Sequence, residues 1–239
     1  MSAAPKSSEQ RRNELRLLAQ QRQADRRDGY LCLSDIHSGY YDTEEHVSPW
    51  SISAQNVDAE LMIFGKDWVS SETLAGAPDP ERKRLGQGWN VPTNRNLRAY
   101  LRDHVGGLEF SQTYATNVFP FIKLGKKNAA IRAADMLYAA RQYALPQLRI
   151  VSPLMAVCLG PPAFHSVSRA ALDEGGQSAS TPMPHVVFCG IEIYAVSHPS
   201  MYPGGKVAVE GRWKQIGERL VALRERVGLV HRQARQPES

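Results

Sequence analysis

Short apolar runs alternate with helix-forming stretches along most of this chain, and that alternation constrains the fold more than any other feature. Residues 61–64 are uniformly apolar, 113–119 are rich in β-formers, and 154–159 are apolar again. Segments 186–188 and 191–196 flank Cys189-Gly190 and read as strands or a hairpin. Runs of this length, bounded by Gly and Pro, are expected to be buried strands. Between and after them, 92–105, 128–143, the stretch following Gly160-Pro161-Pro162 to about 172, and 206–227 carry helical patterns. Strand–helix–strand succession builds a mostly parallel sheet with helices on both faces. The expected fold is thus one α/β domain over 29–230. A basic N-terminal arm or helix (1–28) precedes it and a polar tail (231–239) follows.

Finer expectations go with this reading. Residues 1–8 form a disordered tail and 9–27 a solvated surface helix with a short apolar stripe, in preference to a phosphate-gripping arm. Thr93 is expected to cap the helix that starts near Pro92. Segments 69–88 and 173–185, rich in Gly, Ser, Pro and charge, read as loops.

A length of 239 residues suits one sizeable domain, and a formal net charge of +5 permits a polyanionic partner without requiring one. Cys32, Cys158 and Cys189 lie far apart and form no CxxC pair, which argues against a zinc site or a four-thiolate iron–sulfur cluster. Scattered thiols, a polar start and the lack of a long apolar run point to a cytoplasmic protein with no membrane contact.

In parallel sheets, ligands sit beyond the carboxyl ends of the strands. Three expected strand ends carry polar residues suited to chemistry: Asp67, Asn117 and His198. His198 opens the segment Ser197-His198-Pro199-Ser200-Met201-Tyr202-Pro203-Gly204-Gly205-Lys206. Its prolines stiffen the backbone, Gly204 and Gly205 allow close approach, and the helix beyond offers free N–H groups to a phosphate.

His198-Pro199-Ser200 resembles the His-Pro-Ser loop of uracil-DNA glycosylases. Gly65-Lys66-Asp67 resembles their Gly-Gln-Asp motif, Thr116-Asn117-Val118 the strand whose asparagine reads uracil, and 86–91 the segment that supplies a base-stacking aromatic. The four appear in the family's order, over about 61–220. The resemblance implies a hydrolase that flips uracil, or a related deaminated base, out of DNA and cuts its N-glycosidic bond. Asp67 and His198 would be catalytic. Asp67 would orient or deprotonate water, and His198 would stabilise the departing base through O2. Trp89 would stack on the base, Asn117 would read O4 and N3–H, and Gly65, Lys66 and Trp68 would complete the pocket. Thr93, Ser200, Met201, Tyr202, Gly204, Gly205 and Lys206 would contact DNA. The enzyme would be a monomer, act on DNA containing uracil or abasic sites, and need no cofactor.

The chain departs from the best-known branch in two places. Val69 stands where a tyrosine would block thymine's methyl group, and Met201-Tyr202 replace a Pro-Leu wedge. The family's four-cysteine branches are also excluded. Two rival readings remain: a binder of uracil or abasic sites with little turnover, and a metal-dependent phosphoesterase suggested by Asp35-Ile36-His37. The phosphoesterase lacks its other motifs in this chain, so Asp35 and His37 are expected to shape a loop.

Overall fold

The computed structural model describes residues 6–181 and 183–233. In chain order the elements are α1 (Ser8–Ala24), β1 (Tyr30–Leu31), β2 (Leu61–Asp67), α2 (Pro80–Leu85), α3 (Pro92–His104), β3 (Tyr114–Phe119) and β4 (Ile122–Lys123). There follow α4 (Ala133–Ala139), α5 (Leu145–Val151), β5 (Met155–Leu159), α6 (Pro161–Asp173), β6 (Gln177–Ala179), β7 (His185–Phe188), β8 (Ile191–Val196) and α7 (Lys206–Gln233).

The main sheet has six strands in the order β3-β2-β5-β8-β7-β6. The first four are parallel; β7 and β6 add antiparallel to one side. The fold is therefore α/β with a mixed sheet and a parallel core. Alternate residues of β2 face opposite layers. Met62 and Phe64 join the core under α1, α4, α5 and α6, whereas Leu61 and Ile63 join the core under α3 and α7. Burial on both faces explains why these strands read as continuous apolar runs. The β7–β8 hairpin turns through Cys189 and Gly190, both at positive φ (52° and 78°).

Several local expectations are corrected. The first helix starts at Ser8, where Ser7 and Gln10 form a capping box. It is not merely solvated. Leu15, Leu18 and Ala19 are buried, and the fully buried Arg22 donates to Asp42 (2.5 Å) and to the Thr43 and His46 carbonyls (2.8 and 3.2 Å). Val91, not Thr93, occupies the N-cap of α3, because Pro92 takes the first helical position that its fixed φ favours. The expected loop over 69–88 contains α2, capped by Asp79. The expected loop over 173–185 contains β6, which pairs with β7, while residue 182 lies outside the described residues. The 128–143 helix starts at Ala133 and continues through a π-turn at Ala140–Ala144 into α5. Pro146 lacks an N–H and crowds the preceding turn, and a π-turn absorbs that misfit. In the expected tail, α7 runs on through Gln233, and 234–239 lies outside the described residues.

Candidate active site

β2, β3, β5 and β8 run in the same direction, so their carboxyl ends lie along one side of the domain. Gly65 and Asn117 are register partners on neighbouring strands, and Asp67 is the last residue of β2. Position 65 needs glycine because of what faces it. A Cβ there would lie 2.6 Å from Asn117 Nδ2 and 3.1 Å from the Trp50 ring. Asn117 is 4% exposed, and its Oδ1 accepts from Ser48 Oγ at 2.7 Å. Trp50 sits in the turn Pro49–Ser53, and its indole N–H donates to Gln87 Oε1 at 2.9 Å. Gln87 is buried too, and its Nε2 has no partner among the described residues.

The Asp67 carboxylate is bracketed by two ammonium groups. Lys66 Nζ lies 3.2 Å from Oδ1, and Lys123 Nζ lies 2.6 Å from Oδ2. Lys123 is almost fully buried and comes from β4, which pairs antiparallel with β1. His198 follows β8 and is half-buried. The Ser200 backbone N–H donates to its Nδ1 at 3.3 Å, and the Ser200 hydroxyl lies 2.8 Å from the same atom. An Nδ1 that accepts leaves the ring proton on Nε2, free to donate outward. Burial, then the Lys127 and Lys66 charges, push the histidine's pKa down, and the Asp67 carboxylate opposes them. The ring is therefore neutral at pH 7 and feels charges from both β2 and the 123–127 loop.

The segment after His198 is a built loop. Met201 N–H bonds to the His198 carbonyl (2.8 Å), and Gly205 N–H to the Tyr202 carbonyl (2.9 Å). Gly204 and Gly205 have φ of 73° and 89°, the left-handed region where L side chains are strained. Asn96 on α3 pins the loop by donating to the Pro199 carbonyl and to the Tyr202 hydroxyl, both at 2.8 Å. Tyr202 is thereby anchored, while Met201 is 62% exposed with no such tether. Lys206 is exposed at the start of α7 and pairs with Glu210 at 3.5 Å.

Other nominated residues are placed differently. The Trp68 indole N–H donates to the Gly86 carbonyl (2.7 Å), and its ring meets Tyr41 edge-on. Val69 packs with Leu33, Tyr41, Leu74 and Ile122. The Trp89 ring is covered by the Arg98 guanidinium at 3.7 Å, and its backbone bonds reach Glu81 and Arg98, not Asp67, Asn117 or His198. Thr93 lies in the first turn of α3, half-buried.

The chain matches no family model, and no curated protein matches it.

Asp35 accepts from the Cys32 N–H at 2.7 Å, and His37 Nε2 lies 2.7 Å from the Leu74 carbonyl, so both organise the turn between β1 and β2. Among the described residues, no group of three or more His, Cys, Asp or Glu could hold a metal ion. Nor is any described helix long and apolar enough to cross a membrane. Sequence reasoning gave no role to Ser48 and Trp50, which lie against Asn117 and Gly65, or to Gln87, which holds the Trp50 indole. It did not single out Lys123 as a partner of Asp67. The one available signal was the spacing of Gly86 and Gly88 around Gln87, which marks close backbone approach. A Cβ on Gly86 would lie 1.6 Å from the Pro49 carbonyl oxygen.

Proposed function

We propose that this chain is a DNA glycosylase that hydrolyses the N-glycosidic bond of uracil, or a related deaminated base, flipped out of DNA. One observation carries the reading. A carboxylate, a buried amide and a neutral histidine stand in or just beyond the carboxyl-terminal halves of parallel strands of one sheet: Asp67 ends β2, Asn117 lies on the adjacent β3, and His198 follows β8, with β5 between β2 and β8. Lys66 and Lys127 bring positive charge to Asp67 and His198, and Met201 and Tyr202 are exposed on the loop that follows His198. Lysines suit phosphates, and an untethered apolar side chain suits the unstacked base step. Met201 fits the wedge role better than Tyr202, whose hydroxyl is held by Asn96.

The chemistry follows from the charges. As the bond from C1′ to the base nitrogen breaks, its electron pair leaves with the base and C1′ becomes cationic. His198, protonated on Nε2, donates to the base oxygen where negative charge gathers. Asp67 opposes the charge on C1′ and takes a proton from the water that adds there. Asn117 orients the base.

A second reading, tight binding with little turnover, draws on the same carboxylate. Two ammonium groups already balance Asp67, which leaves less negative charge to face the sugar. One experiment separates the two. The protein is incubated with uracil-containing oligonucleotides and chelator, then treated with alkali. Alkali-labile sites appearing catalytically support the hydrolase; retention of the oligonucleotide without such sites supports the binder. Chelator-sensitive strand cleavage before alkali would instead restore the phosphoesterase.

A further inference from the structure

We propose that Ser48 is a specificity-determining residue, which fixes the Asn117 amide so that the pocket accepts an exocyclic carbonyl and rejects an exocyclic amino group. The inference takes from the reading above only that the ligand is a nucleobase.

A free asparagine amide is ambivalent. Turning it by half a rotation exchanges its acceptor for its donors, and the site would then read the opposite pattern. Asn117 is not free. The Ser48 hydroxyl donates to Oδ1 at 2.7 Å, with Ser48 fully buried and Asn117 nearly so. The Trp50 backbone N–H donates to the same hydroxyl at 3.4 Å, which occupies one of its lone pairs and favours sending its proton to Asn117. Nδ2 then lies against Gly65, in the space that a side chain there would fill. What the amide offers a ligand is chiefly an N–H.

An N–H beside a base oxygen makes a hydrogen bond; beside an amino group, two donors face each other and both lose solvation. Uracil carries an oxygen where cytosine carries an amino group. The discrimination expected from one buried donor left unpaired is roughly 5–150-fold. Ser48 controls that ratio without touching the base, because without it the amide is released to turn.

The test is a binding titration of the full chain with single-stranded oligonucleotides. Each carries one 2′-fluoro-2′-deoxyuridine or one 2′-fluoro-2′-deoxycytidine, whose fluorine opposes the sugar cation and blocks excision. Wild type should prefer the uridine. Ser48→Ala should lower that preference by roughly 5-fold or more. Ser48→Cys, which keeps a weaker donor of similar shape, should fall between, so a folding defect in one variant does not leave the question open. Near-ultraviolet circular dichroism checks that each variant keeps its packing. A Ser48→Ala protein with the wild-type ratio overturns the inference, as does a wild type that binds both oligonucleotides equally. If wild type prefers the fluorinated uridine yet excises nothing from ordinary deoxyuridine, the hydrolase reading fails and the role of Ser48 stands.

Discussion

Asp67→Asn tests the site and the fold together, because Asp67 is the ionic partner of a lysine that cannot reach water. Lys66 is 29% exposed and can turn to solvent when the carboxylate is lost; the Lys123 side chain is 4% exposed and cannot. Breaking one side of a buried pair costs about 3–5 kcal/mol, since an uncompensated charge is left behind. The asparagine oxygen still accepts one hydrogen bond, which places the expected loss near the lower figure. For a domain of this size, about 3 kcal/mol lowers the melting temperature by roughly 6–12 °C. Asp67→Asn with Lys123→Met removes both charges, and an apolar replacement of a buried pair is often neutral. The double variant should therefore recover about 2 kcal/mol of the single variant's loss. Equilibrium urea unfolding at pH 7 measures each free energy, with an unchanged m-value showing that one transition is being compared. Excision is then assayed well below the single variant's midpoint, so that slow chemistry is not confused with unfolding. An Asp67→Asn protein within about 0.5 kcal/mol of wild type would refute the argument. So would a double variant no more stable than the single.

His198→Ala should slow single-turnover excision by roughly 10²–10³ while changing DNA affinity little; equal losses in both would make His198 a binding residue. Burial lowers the pKa of His46, and burial with Lys127 and Lys66 lowers that of His198, from an ordinary value of 6.5. Below pH 6.5 the unfolded chain therefore binds more protons, so their stabilising contribution is full above that pH and is lost as pH falls; urea midpoints measured from pH 7 to 5 should drop less steeply in His46→Asn. Gly65→Ala places a methyl group against Asn117 Nδ2 and Trp50, and should cost about 1–3 kcal/mol in urea unfolding and reduce the uridine preference; wild-type behaviour on both counts would remove Gly65 from the site. Lys127→Met should flatten the dependence of DNA affinity on salt by about one phosphate contact, and an unchanged slope would take that lysine off the DNA path.

The sheet was legible because its strands are buried on both faces. Residues 61–64 and 154–159 carry no polar interruption, and Pro120 ends β3 where the chain can no longer donate to a ladder. Asp67 and His198 stood out as polar residues at or just after the ends of such runs, whereas Asn117, expected at a strand end, lies within β3. Ser48 and Trp50 did not, because a five-residue 3-10 turn has no period to detect. Lys123 lay inside Lys123-Leu124-Gly125-Lys126-Lys127, where the exposed Lys126 and Lys127 share its charge but not its burial. β6 was hidden for the opposite reason: Gln177-Ser178-Ala179 pairs at a sheet edge and buries almost nothing. Trp89 shows the limit of motif spacing: it nominates the residue for stacking on a base, and says nothing of the arginine that covers its ring.

The docking of α1 has a consequence for the order in which this protein can take shape during synthesis. Leu15 and Leu18 join the layer that contains α5, and β1 pairs with β4, so both early segments wait for partners on the order of 100 residues downstream. At roughly 5–20 residues per second, the first helix leaves the ribosome on the order of ten seconds before it has a surface to cover. During that interval the growing chain displays a basic helix whose apolar stripe has no layer to cover. The strand that carries Lys123 cannot be clasped from both sides until Tyr30 and Leu31 fold back onto it. Completion of the charge cluster around Asp67 is therefore a late, long-range event, and slowing the return of the N-terminal segment should delay the appearance of activity more than the appearance of helix.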